Sequence, residues 1–414
     1  MDASEFLSRH HMHPEQLDKE AIIAAFLREM KKGCGGLPSS LGMFPAYINA
    51  GAKPTEGKVL IIDAGGTNLR LARLSYADGE LCMEEMKKRP MPGTEAAITA
   101  TAFFHTLAEE LLPLCEDVER ACFCFSYPCE VRSDGDGVAV RLTKELNVMG
   151  LPGMRLCAPL EEELVALGAR GHRRWRVIND TVASMLCGMA QVRESYDDYI
   201  GFILGTGFNM CANVNAGDIP KAHAAGEQGE SCIVNFESGG FDRFLRGTAD
   251  ECLDAKSEAP GTQLAEKCIS GAYQAPVLTE TLRLAGEEGL FTPDFMIPTI
   301  TAAEISRLCE DETLFPAMDS ADYGLLREIN GLLLERAAIL SACCLAAAIR
   351  SRGLKAGSRA CICADGTTFA KNPLLKPRTA QHLSQLLRSS SVSAEFFQVS
   401  DATLLGTAYA ALLL

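Results

Sequence analysis

Leu60-Ile61-Ile62-Asp63-Ala64-Gly65-Gly66-Thr67-Asn68-Leu69-Arg70 runs from an apolar, β-branched segment through a glycine and threonine turn into a second strand-like segment. A weaker repeat lies downstream in Ile203-Leu204-Gly205-Thr206-Gly207-Phe208-Asn209-Met210, with the same order of strand, turn, asparagine and strand. A glycine turn between strands lets backbone N–H groups approach phosphate oxygens with no Cβ in the way, and the threonine hydroxyl adds a donor. Either loop alone reads better as a plain hairpin turn; two together suggest a grip on one polyphosphate. Neither G-x-x-x-x-G-K-[ST] nor a G-x-G-x-x-G opening a helix occurs, which disfavours P-loop and Rossmann nucleotide sites.

Outward from the first turn, the stretch Gly51-Ala52-Lys53-Pro54-Thr55-Glu56-Gly57 leads into the strand Lys58 to Ile62 and marks the start of a folding unit. Further strands are expected at Leu69 to Ser75, Ala121 to Phe125, Arg176 to Ile178, Tyr199 to Leu204, Met210 to Val214 and Ala360 to Cys363. Helical stretches separate them, among them Glu95 to Leu112 and Leu325 to Ile349, so the pattern is mixed α/β. Ahead of these, Pro14 to Lys32 has helical apolar spacing, with Gly33 as its expected stop. The acidic triplet Glu161-Glu162-Glu163 follows Pro159 and reads as first-turn acids favoured by the helix dipole rather than as a metal site.

With 414 residues, at about 150 per domain, the chain has room for two or three folding units around a large core. Its net charge of −15 argues against nonspecific binding to nucleic acid or anionic membrane, so a polyanionic substrate must be held locally. The longest largely apolar run, Ala337 to Ile349, is too short for a membrane span and reads as a buried helix. The opening Met1-Asp2-Ala3-Ser4-Glu5 has no secretory pattern, and the 17 cysteines include no C-x-x-C pair. Both features point to reduced thiols and a cytoplasmic protein without disulfides or structural zinc. Metalloprotease and serine hydrolase motifs, H-E-x-x-H and G-x-S-x-G, are absent.

Several segments, in order, resemble the eukaryotic-type hexokinase family within the actin, Hsp70 and sugar-kinase superfamily. Leu60 to Arg70 resembles that family's first phosphate motif, and Ile200 to Asn209 its second. Phe125-Ser126-Tyr127-Pro128-Cys129 is similar to the sugar segment S-F-P, Thr143-Lys144 to the T-K pair, and Val177-Ile178-Asn179-Asp180-Thr181 to the segment carrying the catalytic base. Ile233 to Glu237 and Glu266 to Gly271 resemble the two segments that supply sugar-binding glutamates, and Ala364-Asp365-Gly366-Thr367 the adenosine-side turn. Ordered agreement of this many short motifs is far more specific than any one of them.

The resemblance implies a duplicated actin-like (ribonuclease H-like) α/β fold with two lobes around a cleft. Residues 55–176 plus 402–414 would form the small lobe, and 1–54 and 177–401 the large lobe, with Trp175 close to the hinge. The implied reaction is ATP-dependent phosphorylation of a hexose, expected to be glucose, at its 6-hydroxyl. It yields hexose 6-phosphate and ADP, as in the first step of glycolysis. Asp180 would be the catalytic base. Ser126, Thr143, Lys144, Asn179, Asp180, Asn209, Glu237 and Glu266 would bind the sugar. That set makes chemical sense unaided, because a ring of hydroxyls needs side chains that donate and accept. Asp63, Gly65, Gly66, Thr67, Asn68, Arg70, Gly205, Thr206, Gly207, Asp365, Gly366, Thr367 and Gly406 would line the ATP. Mg²⁺ would accompany the nucleotide, held by Asp63 through water. For Arg70 two readings stand side by side, a phosphate contact or a partner for nearby carboxylates.

Some residues depart from the family pattern. Ser238 stands where a tryptophan usually follows the glutamate, Leu142 replaces an aromatic residue, and Glu145 stands where glycine is common. The segment Asp401 to Ala408 lacks two of the family's glycines. A catalytically weak sugar sensor of the same fold is the alternative reading, against which the presence of Asp180 counts. An actin-like ATPase module would need neither Thr143-Lys144 nor Glu266.

Overall fold

The computed structural model describes residues 2–49, 51–65, 68–142, 146–221 and 231–414. The chain opens with α1 (Ala3–Arg9), α2 (Lys19–Cys34) and the short strand β1 (Phe44–Pro45). The helix expected from Pro14 is in two pieces. Pro14–Gln16 form one 3-10 turn, and Asp18 starts the helix proper by accepting from the Ala21 N–H at 3.0 Å. Gly33 does not stop it, because the residue serves close packing: a Cβ there would lie 2.7 Å from the Leu41 carbonyl oxygen.

Next come β2 (Gly57–Gly65), β3 (Asn68–Ala77), β4 (Glu80–Pro90), β5 (Ile98–Thr99), α3 (Ala100–Leu111), β6 (Arg120–Phe125) and the small strands β7 (Cys129–Val131), β8 (Gly137–Ala139) and β9 (Val148–Met149). This first half closes with α4 (Cys157–Ala166), β10 (Arg174–Ile178) and α5 (Asp180–Gln191). The second half begins with β11 (Asp198–Leu204), β12 (Phe208–Asn215) and β13 (Ser231–Asn235). Five helices follow: α6 (Thr248–Lys256), α7 (Leu264–Ile269), α8 (Gly271–Glu287), α9 (Ala302–Arg307) and α10 (Ser320–Ser351). Then come β14 (Arg359–Asp365), α11 (Thr367–Lys371), α12 (Leu375–Leu387), β15 (Ser393–Phe397) and α13 (Ala402–Leu412).

The two main sheets have the same plan. One runs β4-β3-β2-β6-β10 and the other β13-β12-β11-β14-β15, with β1 added outside β13. In each, three strands form an antiparallel meander and two more join in parallel on the far side of the first strand. Parallel addition requires a crossover, which α3 supplies in the first unit and α10 in the second. This is the duplicated α/β architecture that the family resemblance implies.

The terminal helix of each unit crosses to the other. Helix α5 packs on β11 and β14 of the second sheet, while α13 packs on β2 and β6 of the first, and the two helices pack on each other. Glycine makes the crossing possible. A Cβ on Gly406 of α13 would overlap the Ala183 carbonyl of α5, and one on Gly201 of β11 would overlap the Thr181 carbonyl. Each unit buries its own apolar core, and a third apolar cluster lies at the crossing, where Ile61 and Cys124 meet Val182, Met185, Leu404 and Ala408.

Two expectations are revised. The first-turn reading of the acidic triplet fails because α4 starts earlier, at Cys157, and has no acid in its first turn. Glu161 instead accepts from Arg173 Nε (2.9 Å) and from the Trp175 indole N–H (2.7 Å), while Glu163 pairs with His105. Trp175 therefore belongs to the core of the first unit. Side-chain alternation along β10 explains its place: Arg176 and Ile178 face the crossing, where the Arg176 guanidinium donates to the Ala410 carbonyl, and Trp175 and Val177 face away. Helix α10 outruns the apolar stretch read from the sequence, because Asp319 caps it by accepting from the Ala321 N–H at 2.8 Å. By length and composition alone it would suffice to cross a membrane, yet 83% of its most apolar window is buried inside the protein.

The crossing is testable. Replacing Gly406 by alanine should destabilise the protein by about 1–3 kcal/mol through overpacking, read as a fall in thermal midpoint. Gly217→Ala, where a Cβ meets nothing within 4 Å, is the control. Equal melting of both variants and the parent would refute the account of the crossing.

Candidate active site

The first glycine turn joins β2 to β3, with Gly65 paired opposite Asn68. Gly66 and Thr67 lie outside the described residues. Asp63 is buried on β2 directly across from Arg70 on β3, so the hairpin register itself makes them partners. Arg70 Nε donates to Asp63 Oδ2 at 2.8 Å, and its Nη2 reaches the same oxygen. The other guanidinium contacts tie this hairpin to α13: Nη1 donates to Asp401 Oδ1 and Nη2 to Thr403 Oγ1, both at 2.7 Å. Thr403 in turn donates to Asp63 Oδ2 at 3.1 Å. Of the two readings of Arg70, pairing with carboxylates is the one the geometry favours. Burial works against its charge, but Asp63 and Asp401 hold its pKa above the usual arginine value.

The second turn, between β11 and β12, is pinned from behind. Gly205 N donates to the Gly207 carbonyl at 3.0 Å, and the Gly205 carbonyl accepts from Gly271 N at 2.8 Å and Thr368 Oγ1 at 3.0 Å. Thr206 is left exposed at the tip. Asp365 and Gly366 at the end of β14 press against this turn. Gly366 has φ +111°, and a Cβ on it would overlap Leu204, so both its conformation and its surroundings require glycine. Thr367 begins α11 beside them. Gly406 is elsewhere. It is buried in the α5–α13 crossing, and its expected nucleotide contact gives way to a packing role.

The polar residues at the ends of β6, β10, β12 and β13 form a second cluster. Asn179 caps α5: its Oδ1 accepts from Thr181 N at 3.0 Å and Thr181 Oγ1 at 2.6 Å. Asp180, the next residue, has Oδ1 fixed by the same Thr181 N–H at 2.9 Å. Asn209 donates to Asn179 Oδ1 at 3.2 Å and to Asn235 Oδ1 at 2.8 Å, and Asn235 donates to Glu237 Oε1 at 2.8 Å. Glu266 Oε2 accepts from Phe208 N at 3.1 Å and sits against Gly207, where a Cβ would lie 2.7 Å away. Ser126 follows β6, with its N–H on the Ala64 carbonyl at 3.2 Å, beside Gly65 of the first turn. Thr143, Lys144 and Glu145 lie outside the described residues.

Among the described residues, charge in this region is unbalanced. Burial, reinforced by Asp180 and Glu266, pushes the Glu237 carboxyl up to about 7, against the Asn235 hydrogen bond and the charge of Arg141. Burial also raises Asp365, with Asp180 and Asp63 adding to the effect and the Gly366 N–H and Arg70 opposing it. Asp180 thus acts on both groups of carboxylates, one around the sugar-type cluster and one around the glycine turns.

Sequence reasoning overlooked Asn235 and Thr403. Asn235 carried a signal, being a polar residue inside the apolar strand run Ile233 to Phe236, where a buried amide must find partners. Among the described residues no group of three or more His, Cys, Asp or Glu side chains could cage a metal ion. The residues fit a different kind of site, a water-retaining ion held mainly by phosphate oxygens with one facing carboxylate. Asp63 is near enough to Asp365 to act on it by charge.

Two sequence models of the hexokinase family, each described as Hexokinase, match residues 2–190 and 199–413. Hexokinase-1 of Schizosaccharomyces pombe is 28% identical over 399 residues, covering 87% of this chain and 80% of its own length. Hexokinase-2 of Homo sapiens is 30% identical over 304 residues, 68% of this chain and 32% of that one. A solved hexokinase from Schistosoma mansoni, complexed with glucose, has the same fold, with a TM-score of 0.74 at 21% identity over 96% of this chain and 94% of that one. With the family matched over both halves and the duplicated two-lobed fold in place, the chain belongs to the hexokinase family and is a phosphotransferase that uses ATP to phosphorylate a hexose.

Proposed function

We propose that the hexose is glucose, that its 6-hydroxyl is the attacking group, and that the products are glucose 6-phosphate and ADP, as in the first step of glycolysis. The observation that carries this reading is the position of Asp180 between the two carboxylate groups, with one oxygen oriented by the α5 N-terminus. A base in that position can take a proton from a hydroxyl held by Asn179, Asn209, Glu237 and Glu266 while that oxygen attacks the γ-phosphorus in line with the departing ADP. Thr143, Lys144 and Ser126 complete the proposed sugar contacts. Gly65 to Asn68, Gly205 to Gly207 and Asp365 to Thr367 are the proposed nucleotide contacts. The glucose held by the Schistosoma mansoni enzyme supports the choice of sugar.

Mg²⁺ is proposed to accompany ATP, and when bound it would neutralise charge on the β- and γ-phosphates. Asp63 would face it through water once Arg70 yields part of its hold on that carboxylate. The proposed lobes are residues 55–176 with 402–414, and 1–54 with 177–401. Because the sugar contacts come from both sheets, sugar binding would draw the lobes together and keep water, the competing nucleophile, from the phosphate. The 17 free cysteines support a reducing, cytoplasmic setting. A sugar sensor of the same fold would not need to keep a carboxylate at position 180.

Asp180→Asn keeps the shape and much of the hydrogen bonding but removes the proton acceptor. Turnover should fall by about 10² to 10⁴, while glucose affinity by calorimetry changes far less. Near-parental turnover in the folded variant would sink the mechanism, and failure of the parent to phosphorylate glucose, mannose, fructose or glucosamine would favour the sensor.

Glu237 gives a pH signature in the sugar-free protein. With a folded pKa of about 7 against 4.5 unfolded, the native state binds the extra proton between those values, so its stability falls as pH rises through that window. Glu237→Gln should flatten this slope and raise the thermal midpoint at pH 8, with a ceiling of about 3 kcal/mol from the shift, while weakening glucose binding. A variant no more stable than the parent at pH 8 would show that Glu237 carries no such penalty.

A further inference from the structure

We infer that Asn235 is a positioning residue for the sugar site, whose amide links the asparagine cap of α5 to Glu237 and holds that glutamate as a hydroxyl acceptor. The inference rests on Glu237 being a sugar ligand. The direction of the amide follows from a chain of unambiguous donors. Asn209 Oδ1 accepts from two backbone N–H groups, Met210 N at 2.7 Å and Ser238 N at 3.0 Å, so its Nδ2 must face the other way. That nitrogen meets Asn235 at 2.8 Å, which makes the facing atom Oδ1, an oxygen that also accepts from Thr181 Oγ1 at 3.4 Å. Nδ2 of Asn235 is then directed at Glu237 Oε1 at 2.8 Å. The backbone amides of Met210 on β12 and Ser238 in the turn after β13 thus dictate, through two side-chain amides, which face of Glu237 is an acceptor.

Glu237 needs this support. Its backbone is left-handed, at φ +56° and ψ +50°, a conformation costly for a residue with a side chain and sustained only where the surroundings impose it. The groups acting on its carboxyl by charge are mostly hostile to ionisation: Asp180 from α5 and Glu266 from α7, with Arg141 as the favourable one. The Asn235 N–H is the hydrogen bond that opposes burial there. Asn235 itself is 5% exposed and donates to Glu237 Oε1, so its effect on sugar is exerted through Glu237.

The test compares glucose affinity without nucleotide, by calorimetry from pH 5.5 to 8.5, in the parent, Asn235→Ala, Asn235→Asp and Glu237→Gln. Affinity in the parent should weaken on the acidic side as Glu237 takes up a proton. Losing the amide donor should move that acidic limb upward by about half a pH unit or more, which is about threefold weaker binding at a pH on the limb. Asn235→Asp, which keeps an acceptor for Asn209 and Thr181 but adds negative charge, should move it further. In both variants kcat at saturating glucose should stay within about twofold of the parent while KM rises. A limb that stays where it was overturns the inference, as does loss of folding in both variants, which would make Asn235 a stability residue. Glu237→Gln separates the two levels: if the acidic limb survives in it, Glu237 is not the titrating sugar ligand and the underlying reading fails.

Discussion

The structure depends on one backbone contact, the approach of α13 to α5 at Gly406 and Ala183. Each of these helices ends one unit and packs on the sheet of the other, so neither unit can bury its crossing face alone. Close helix approach of this kind gains dispersion contacts only if no side chain intervenes, and it leaves little freedom for the helices to slide. The same crossing sets the site. Helix α5 begins with Asn179 and Asp180, and α13 begins with the segment whose Asp401 and Thr403 hold Arg70. The proposed chemistry therefore sits at the starts of the two helices that join the units, where a small change in their angle is felt by both sheets.

Around those helix starts, among the described residues, the protein gathers more negative charge than its nearby cations balance. Asp63 has Arg70, and Arg70 is shared with Asp401. Asp180 and Glu266 act on Glu237 by charge, Asp180 acts also on Asp365, and burial raises both Glu237 and Asp365. Such a cluster costs folding free energy in the empty protein. Its natural remedies are hydroxyl donors at one end and a cation with phosphate at the other, and these are the groups that a hexose and a metal-bound nucleotide present.

Much of this was legible in the sequence because it is encoded locally. The strands at Leu69 to Ser75, Tyr199 to Leu204 and Ala360 to Cys363 recur in β3, β11 and β14 with slightly longer bounds, since β-branched and apolar runs ended by turn residues need no distant partner to be recognised. The two-lobed duplicated fold followed from the family resemblance that these local motifs carry. What stayed hidden depended on partners far away in the chain. Gly406 looked like a nucleotide contact because its role is set by Ala183, more than 200 residues earlier. Glu161 looked like a dipole acid until Arg173 and Trp175 claimed it, and the choice of Arg70 between phosphate and carboxylate was decided by a strand register and by α13.

Asn235 shows why a buried amide is harder to read than a glycine turn. A glycine at positive φ announces a local backbone need, whereas an asparagine in a strand states only that partners exist. Its meaning came from following donors outward from backbone N–H groups whose direction cannot be reversed, through Asn209, to a glutamate with a strained backbone. Because the two asparagines lie on β12 and β13, the rigidity of the second sheet is passed to Glu237 in the turn that follows β13. A site assembled in this way keeps its acceptors aimed before substrate arrives, so the free energy of binding can be spent on bringing the lobes together.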